Sequence, residues 1–219
     1  MVQVKICGIN SPAAADAVAS AGADYAGFVF FPPSPRHVGY GQASSLSTRL
    51  RGRCRVVAVV VDATDPEIEA AVNAARPGFL QLHGKESPER VVAIRQRFAV
   101  PVIKAISIAD KEDLQHAPAF EAVADLLLFD AKAPNNTPRP GGHGAAFDWR
   151  LLNGRRLSRP WLLGGGLNPE NVVRAIRACD APGVDCSSGV ETAPGLKDPN
   201  LIREFIAAAR ATQFAGAES

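Results

Sequence analysis

Eight short apolar runs, rich in β-branched residues, recur along the whole chain and are separated by Ala-rich stretches of helical character. Several of the runs are almost continuously hydrophobic, which is typical of parallel strands that are covered on both faces. Strands that alternate with helices in this way indicate an α/β fold. The predicted strands are Val2–Cys7, Tyr25–Phe31, Val56–Asp62, Phe79–His83, Val102–Ser107, Asp125–Asp130, Trp161–Gly164 and Gly183–Ser187.

The spacing of these runs favours a closed barrel. Consecutive strand ends lie 21 to 34 residues apart, and eight such units fill the 219 residues, which is the size of a (β/α)8 TIM barrel. The alternative is a doubly wound sheet, which would usually carry a G-x-G-x-x-G turn after its first strand. This chain has Cys7-Gly8-Ile9-Asn10 there. Because no linker interrupts the pattern, we expect one barrel domain over residues 1–219.

Five of the predicted helices have recognisable starts. Each start has a Ser, Asp or Asn directly before a proline, so that a capping side chain precedes a first-turn proline. Gly22 and Gly78 fit helix exits, where a left-handed residue is common. The five pairs are Ser11-Pro12, Asp65-Pro66, Ser87-Pro88, Asn168-Pro169 and Asp198-Pro199.

Charge and composition exclude several classes of function. Lys plus Arg is 24 and Asp plus Glu is 22, a formal charge of +2, so nothing favours a nucleic acid or a membrane surface as partner. No apolar run reaches the roughly 18 residues of a membrane span, and the strand-like pattern that follows Met1 leads us to expect no signal peptide. The four cysteines form no C-x-x-C pair, which argues against a metal site. We expect a cytoplasmic protein with reduced thiols.

The first strand ends in a candidate catalytic group. Because side chains alternate along a strand, Gln3, Lys5 and Cys7 share one face, which we expect to point into the barrel, and Cys7 lies at the mouth. One interpretation is that Cys7 is a small core residue. The other is that it is a thiolate base or nucleophile favoured by the Lys5 ammonium, since barrel active sites lie at this end.

Asp130 closes the sixth apolar run. It is either a loop or cap residue or a catalytic acid whose pKa is raised by apolar walls. Strand six lies nearly opposite strand one in an eight-stranded ring, so Asp130 should face Cys7 across the mouth. One acid and one base in that arrangement suit an isomerisation. His83 ends the fourth run, and by itself it is interpreted as a hydrogen-bonded rim residue.

Two long loops rich in Pro and Gly, residues 31–41 and 131–144, follow strand ends, and loops of this length are often functional. Arg36 lies in the first loop, where its guanidinium could bind a carboxylate through two hydrogen bonds. The alternative is an exposed arginine that only contributes to solubility.

Glycine-rich turns follow the last two strands. They are Gly164-Gly165-Gly166 and Ser187-Ser188-Gly189. Barrels often build a phosphate site from these two loops, because glycine lets the backbone approach a phosphate and serine adds hydroxyl donors. We therefore predict a phosphate site, with ordinary tight turns as the alternative.

In these features the chain resembles the phosphoribosylanthranilate isomerase family of tryptophan biosynthesis. The resemblance covers nearly the whole chain, and its first and last motifs are specific in combination. Related barrel isomerases share the phosphate turns but not Lys-x-Cys-Gly in the first strand. A departure is His143, where the family more often has a small hydroxyl residue. The matching segments are Lys5–Ile9, Gly27–Arg36, Gln81–Gly84, Asp130, Pro140–Gly144, Phe147–Trp149, Leu163–Val172, Val184–Glu191 and Pro194–Asp198.

The resemblance implies an Amadori rearrangement of N-(5-phosphoribosyl)anthranilate to 1-(o-carboxyphenylamino)-1-deoxyribulose 5-phosphate, without a metal or an organic cofactor. In the family's pattern Asp130 is the general acid that protonates the furanose oxygen, and Cys7 is the general base that removes a proton from the adjacent sugar carbon. Arg36 would bind the anthranilate carboxylate. The phosphate would contact Gly144, Gly165, Gly166, Ser187 and Ser188. The remaining substrate-binding residues would be Lys5, His83 and Asp185.

Two other functions stay open. One is a different aminoaldose isomerase on the same barrel, from histidine biosynthesis, and the carboxylate that such enzymes carry at the position of Cys7 argues against it. The other is a phosphosugar-binding protein without catalysis, which the presence of both Cys7 and Asp130 does not favour. The expected partner is a small phosphosugar, and the chain is expected to be a monomer or a homodimer.

Overall fold

A computed structural model describes residues 1–132, 141 and 146–212. Eight parallel strands form a closed barrel in which neighbours follow chain order and the eighth strand pairs with the first. This confirms the predicted (β/α)8 fold, and each strand boundary lies within two residues of its predicted position. The barrel strands are β1 Gln3–Cys7, β2 Tyr25–Val29, β3 Arg55–Val60, β4 Phe79–Leu82, β5 Val102–Ile108, β6 Leu126–Ala131, β7 Trp161–Leu163 and β8 Gly183–Cys186.

Helices surround the barrel. The described stretches after β5 and β6 hold short helical turns in place of one long helix each. The α-helices are α1 Pro12–Ser20, α2 Tyr40–Leu50, α3 Asp65–Ala75, α4 Pro88–Phe98, α5 Ala117–Glu121, α6 Val172–Cys179 and α7 Pro199–Arg210. The 3₁₀ turns are Asp113–His116, Trp149–Leu152 and Ser188–Val190. In the described part of the chain, no helix is long and apolar enough to cross a membrane.

The two faces of the strands belong to two separate apolar clusters. Val4 and Ile6 of β1 pack outward with residues of the helices, whereas Cys7 belongs to a smaller cluster inside the barrel. Lys5 lies between Val4 and Ile6 in the sequence, but its side chain is on the inward face with Cys7 and is fully buried. The alternation predicted for the first strand is therefore confirmed, and it directs Lys5 and Cys7 toward the mouth.

Three of the five predicted caps are confirmed. The side chains of Ser11, Ser87 and Asp198 each accept a backbone N–H in the first turn of α1, α4 and α7. The cap of α3 is Thr64, one residue before the predicted Asp65, because Thr64 forms a capping box with Glu67.

Two of the remaining helix signals, Asn168 and Gly78, were placed wrongly. Asn168 does not start α6: its Oδ1 accepts the N–H groups of Glu170 and Asn171 in a turn that precedes the helix. The same side-chain chemistry serves caps and turns, so sequence alone does not separate them. Gly22 is left-handed as predicted, but after α3 it is Arg76, not Gly78, that takes the left-handed conformation.

A short hairpin follows β8 and lies against the first long loop. Its strands are β9 Glu191–Ala193 and β10 Leu196–Lys197. At the turn, a Cβ on Gly195 would collide with the carbonyl group of Pro35, and the Gly195 carbonyl accepts a hydrogen bond from Asn10 at 3.0 Å. The hairpin therefore brings Glu191 and Lys197 to the residue that follows Pro35, which is Arg36.

Candidate active site

A buried ion pair lies at the base of the candidate site. The Nζ of Lys5 on β1 donates to the Oδ1 of Asp185 on β8 at 2.9 Å, and the two residues are register partners in the barrel. Burial alone would lower the pKa of Lys5, but the charge of Asp185 and the neighbouring Cys7 thiol together raise it above its ordinary value. Lys5 is therefore an ammonium ion directed at Cys7 from below.

Cys7 is a thiol in a nearly closed environment. It is 8% exposed, and burial raises its pKa above the ordinary value, against the lowering effect of Lys5 and Lys197. Space for the sulfur comes from Gly27 on β2, where a Cβ would lie 2.9 Å from the Cys7 Sγ. The positive charges stabilise a thiolate, as predicted for Lys5, but they do not overcome burial.

Asp130 near the end of β6 is paired with an imidazole. Its Oδ2 lies 3.2 Å from the Nε2 of His83, and its Oδ1 accepts the N–H of Ala131 at 2.9 Å. On the other side of the ring, the Nδ1 of His83 lies 2.7 Å from the Nε2 of Gln81. His83 is thus hydrogen-bonded at the rim, as interpreted from the sequence, and its partner is the candidate acid.

Two glycines, Gly141 and Gly164, lie directly against the Asp130–His83 pair. A Cβ on Gly141 would lie 2.7 Å from the Asp130 Oδ2 and 2.9 Å from the His83 Nε2, and a Cβ on Gly164 would lie 3.2 Å from the Asp130 Oδ1. Gly141 belongs to the second long loop. Gly141 therefore lies so close to the carboxylate that only a residue without a side chain fits there.

Arg36 is buried rather than exposed, so the solubility interpretation is wrong. It is 4% exposed, and its Nε and Nη2 donate to the two carboxylate oxygens of Glu191 at 2.7 and 2.8 Å. Its stem lies against the turn after Cys7, because a Cβ on Gly8 would come within 2.6 Å of the Arg36 Cδ. The loop thus places the guanidinium group beside the end of β1.

Glu191 connects Arg36 to the turn after β8. Its Oε1 accepts from the Nζ of Lys197 at 2.6 Å, and the same ammonium donates to the Ser187 carbonyl at 2.9 Å. Burial would raise the pKa of Glu191, but the hydrogen bonds and charges of Arg36 and Lys197 outweigh it and hold the pKa below its usual value. Burial lowers the pKa of Lys197 despite the attraction of Glu191.

The two predicted phosphate turns lie side by side. Gly165 and Gly166 both have a positive φ, of 83° and 65°, and a Cβ on Gly165 would lie 2.6 Å from the Ala131 nitrogen. After β8, the Ser187 hydroxyl donates to the Cys7 carbonyl at 3.1 Å. The hydroxyl hydrogen of Ser187 is therefore already used within the protein. Ser188 begins a 3₁₀ turn.

Some predicted residues fall outside this picture. Gly144 and His143 lie outside the described residues.

Within the described residues, no group of three or more His, Cys, Asp or Glu side chains is arranged to hold a metal ion.

Four residues of the site were not selected from the sequence: Gln81, Gly141, Glu191 and Lys197. Gln81 carried a usable signal, because it lies two residues before His83 and therefore on the same face of the strand. Glu191 and Lys197 lie in segments that resemble the family, but no local pattern assigned them a role, since that role depends on a hairpin whose position is set by tertiary contacts.

Polar side chains of β1, β4, β6 and β8 thus converge on the carboxyl-terminal mouth of a barrel whose interior is otherwise apolar. This is the arrangement of the enzyme class built on (β/α)8 barrels, which carry their active sites at that end.

Comparison with known proteins identifies the family within this class. The family model described as N-(5'phosphoribosyl)anthranilate (PRA) isomerase matches residues 4–208. An N-(5'-phosphoribosyl)anthranilate isomerase of Rhodopseudomonas palustris strain BisA53 is 54% identical over 212 residues, 97% of either chain. The chain belongs to the N-(5'-phosphoribosyl)anthranilate isomerase family, whose members are isomerases of tryptophan biosynthesis.

Solved structures agree with the barrel. The phosphoribosyl anthranilate isomerase of Thermotoga maritima is 36% identical, with a TM-score of 0.86 over 96% of this chain and 99% of that one. A phosphoribosyl anthranilate isomerase in complex with reduced 1-(o-carboxyphenylamino)-1-deoxyribulose 5-phosphate is also 36% identical, with a TM-score of 0.83 and the same coverage.

Proposed function

We propose that this chain converts N-(5-phosphoribosyl)anthranilate to 1-(o-carboxyphenylamino)-1-deoxyribulose 5-phosphate, with Asp130 as general acid and Cys7 as general base. The observation that carries the proposal is the placement of a thiol and a carboxyl group at the ends of β1 and β6, three strands apart around one mouth. The relative that binds the reduced product shares this barrel along 96% of the chain.

The first step is ring opening. Asp130 transfers a proton to the furanose oxygen, the bond between that oxygen and the anomeric carbon breaks, and the nitrogen lone pair forms an iminium ion. His83 binds Oδ2 of the same carboxyl group at 3.2 Å and so orients it. A positioned acid typically contributes about 10²–10⁴-fold to a rate.

The second step is proton removal. Cys7 takes the proton from the sugar carbon next to the iminium, and the electron pair of that C–H bond forms an enolamine. The iminium acidifies this proton, so a moderate base suffices. Because burial raises the pKa of Cys7, the thiolate is the minor form, and the Lys5 ammonium stabilises it. The enolamine then gains a proton at the former anomeric carbon and loses one from its hydroxyl, so the overall proton count is unchanged.

Two groups of residues at the mouth are proposed to bind the substrate, one its carboxylate and the other its phosphate. Arg36 is placed beside the turn after Cys7 and is proposed to bind the anthranilate carboxylate. The backbones of Gly165 and Gly166 and the turn at Ser187 and Ser188 are proposed to hold the phosphate, with Gly144 contributing from the second long loop. Lys5 and Asp185 lie deeper in the barrel than Cys7, and we propose that they act chiefly through their charges on the Cys7 sulfur. The four cysteines are free thiols, and we propose a reducing, cytoplasmic location for them.

A fluorescence assay tests the reaction and both roles. Phosphoribosylanthranilate is generated in situ, and its fluorescence is followed with the wild type, Cys7→Ala and Asp130→Asn. We expect rapid loss of fluorescence with the wild type and kcat lower by about 10²-fold or more in each variant, with substrate binding retained. Cys54→Ala and Asp180→Asn are the matched controls, since Cys54 precedes β3 and Asp180 follows α6, at the opposite end of the barrel, and both should turn over normally.

Three outcomes would contradict the proposal. Normal turnover by Cys7→Ala removes that residue as the base. Normal turnover by Asp130→Asn removes it as the acid. A folded wild type without turnover rejects the reaction itself and leaves another phosphosugar as the ligand.

A further inference from the structure

A further buried ion pair lies outside the barrel interior, directly behind His83. The Nζ of Lys104 on β5 donates to the Oε2 of Glu86 at 2.9 Å, and the two side chains are 3% and 4% exposed. The neighbouring Ile103 and Ala105 belong to the interior cluster, so Lys104 points the other way, toward the helices. This pair takes no part in the proposed chemistry.

The pair holds the backbone on both sides of His83. Lys104 donates to the carbonyl oxygens of Leu82 and Gly84, at 3.3 and 2.7 Å. Glu86 accepts the N–H of Gly84 with both oxygens, at 3.1 and 3.0 Å. The residues immediately before and after the imidazole are therefore bonded to one pair of opposite charges.

The same segment is fixed to the end of β3. The Oε1 of Glu86 accepts the N–H of Asp62 at 3.0 Å, and the Oδ1 of Asp62 accepts the N–H of Lys85 at 2.6 Å. A Cβ on Gly84 would lie 2.7 Å from the Asp62 nitrogen. The turn that carries His83 is thus bonded to the strands on either side of β4.

On the mouth side, the ring of His83 is held at both nitrogens. The Nε2 of Gln81 donates to the Nδ1, at 2.7 Å, and the opposite nitrogen meets the Asp130 Oδ2 at 3.2 Å. An acceptor at Nδ1 leaves the proton on Nε2, where it is donated to Asp130. Gln81 is fully buried and its Oε1 has no partner among the described residues, so His83 is the one described partner of this amide.

We propose that Lys104 and Glu86 are positioning residues for the candidate acid, acting through His83. They fix the backbone on each side of the imidazole and thereby set the direction in which its Nε2–H meets Asp130. Stability alone does not require such a pair, because buried ion pairs can often be replaced by apolar residues without loss. The backbone contacts of Lys104 and Glu86, by contrast, need charged or polar groups.

The kinetic test rests on the proposed function. Glu86→Gln and Lys104→Met should each lower kcat about tenfold or more, while KM stays within about twofold, because a small misplacement of a catalytic group is costly and substrate contacts are untouched. Arg95→Gln is the control, since it breaks an ion pair of 2.7 Å with Asp125 in which the arginine side chain is 48% exposed. It should leave both constants unchanged. Wild-type kcat in the two folded variants would overturn the proposal.

A double variant keeps the proposal testable if a single variant fails to fold. In Lys104→Met/Glu86→Leu no unpaired buried charge remains, so the double variant should fold even where a single variant does not. We expect it to have the same loss of kcat as the single variants. A folded double variant with wild-type kcat would overturn the positioning role.

A spectroscopic test needs no substrate and therefore decides the proposal separately from the reaction. The ring nitrogens of ¹⁵N-labelled histidine are recorded by NMR at mildly alkaline pH, and His83→Gln identifies the signals of His83 among the four histidines. In the wild type we expect a neutral ring with the proton on Nε2. Glu86→Gln should shift these signals or mix the two tautomers, whereas Arg95→Gln should not. Identical His83 signals in Glu86→Gln and the wild type would overturn the proposal.

Discussion

Arg36 and Glu191, which are far apart in the sequence, form a two-point ion pair at the barrel mouth. The Nε and Nη2 of the guanidinium group bind the two carboxylate oxygens at 2.7 and 2.8 Å, and both side chains are about 5% exposed or less. A planar guanidinium held at two points has a fixed orientation. The pair therefore fixes the position of the guanidinium group that we propose to bind the anthranilate carboxylate.

Replacing Glu191 should weaken substrate binding more than it slows the chemistry. Glu191→Gln loses the charge that orients Arg36, so we expect KM to rise about tenfold while kcat changes less, since a hydrogen bond between charged groups contributes about 1.5–3 kcal/mol. Steady-state kinetics measure both constants. Asp16→Asn is the control, because Asp16 forms an exposed ion pair with Arg49 and should change neither. A Glu191→Gln variant with an unchanged KM would separate the ion pair from binding.

Removing Arg36 itself should have the larger effect on binding. Arg36→Ala deletes the group proposed to hold the anthranilate carboxylate, so KM should rise by at least as much as in Glu191→Gln, with kcat largely retained. Arg49→Ala controls for the loss of an arginine and its ion pair away from the site, and it should leave KM unchanged. If KM of Arg36→Ala equals that of the wild type, Arg36 is not part of the binding site.

A methyl group at Gly165 should disturb the phosphate turn specifically. Gly165 and Gly52 have similar φ values, 83° and 75°, so Gly165→Ala and Gly52→Ala carry comparable backbone strain. At Gly165 the new Cβ would meet Ala131, whereas at Gly52 nothing lies within 4 Å. We expect a higher KM and a lower melting temperature for Gly165→Ala than for Gly52→Ala. Equal effects of the two substitutions would mean that close packing at this turn is unimportant.

The raised pKa of a buried thiol predicts how the stability of the protein changes with pH in the alkaline range. Burial raises the pKa of Cys179 to about 12 from the ordinary value of 9.0. Above pH 9 the unfolded chain loses this proton while the folded chain keeps it, so the free energy of unfolding falls as the pH rises toward 12. In Cys179→Ala this decline should be shallower by up to about 1.4 kcal/mol per pH unit.

Urea denaturation at several pH values between 9 and 12 measures that slope. Ala175→Gly, in the same helix, is the control: it should lower stability without altering the dependence on pH, because it removes no titratable group. A Cys179→Ala slope equal to that of the wild type would show that the thiol does not carry the effect.

The sequence by itself determined the barrel. Strand and helix propensities act over a few residues, so eight apolar runs with regular spacing specified eight strands, and alternation directed Lys5 and Cys7 inward. Capping chemistry is also local, which is why Ser11 and Ser87 were placed correctly. It failed at Asn168, because the same side-chain hydrogen bonds serve a turn as well as a helix start.

Only the tertiary structure decided how the site is held together. Arg36 meets Glu191, and His83 meets Asp130, because barrel closure and the hairpin after β8 bring distant segments into contact. Lys104 reaches the turn of His83 for the same reason. No local pattern encodes such pairs: their geometry depends on strand register and loop packing, which are set by the whole core at once.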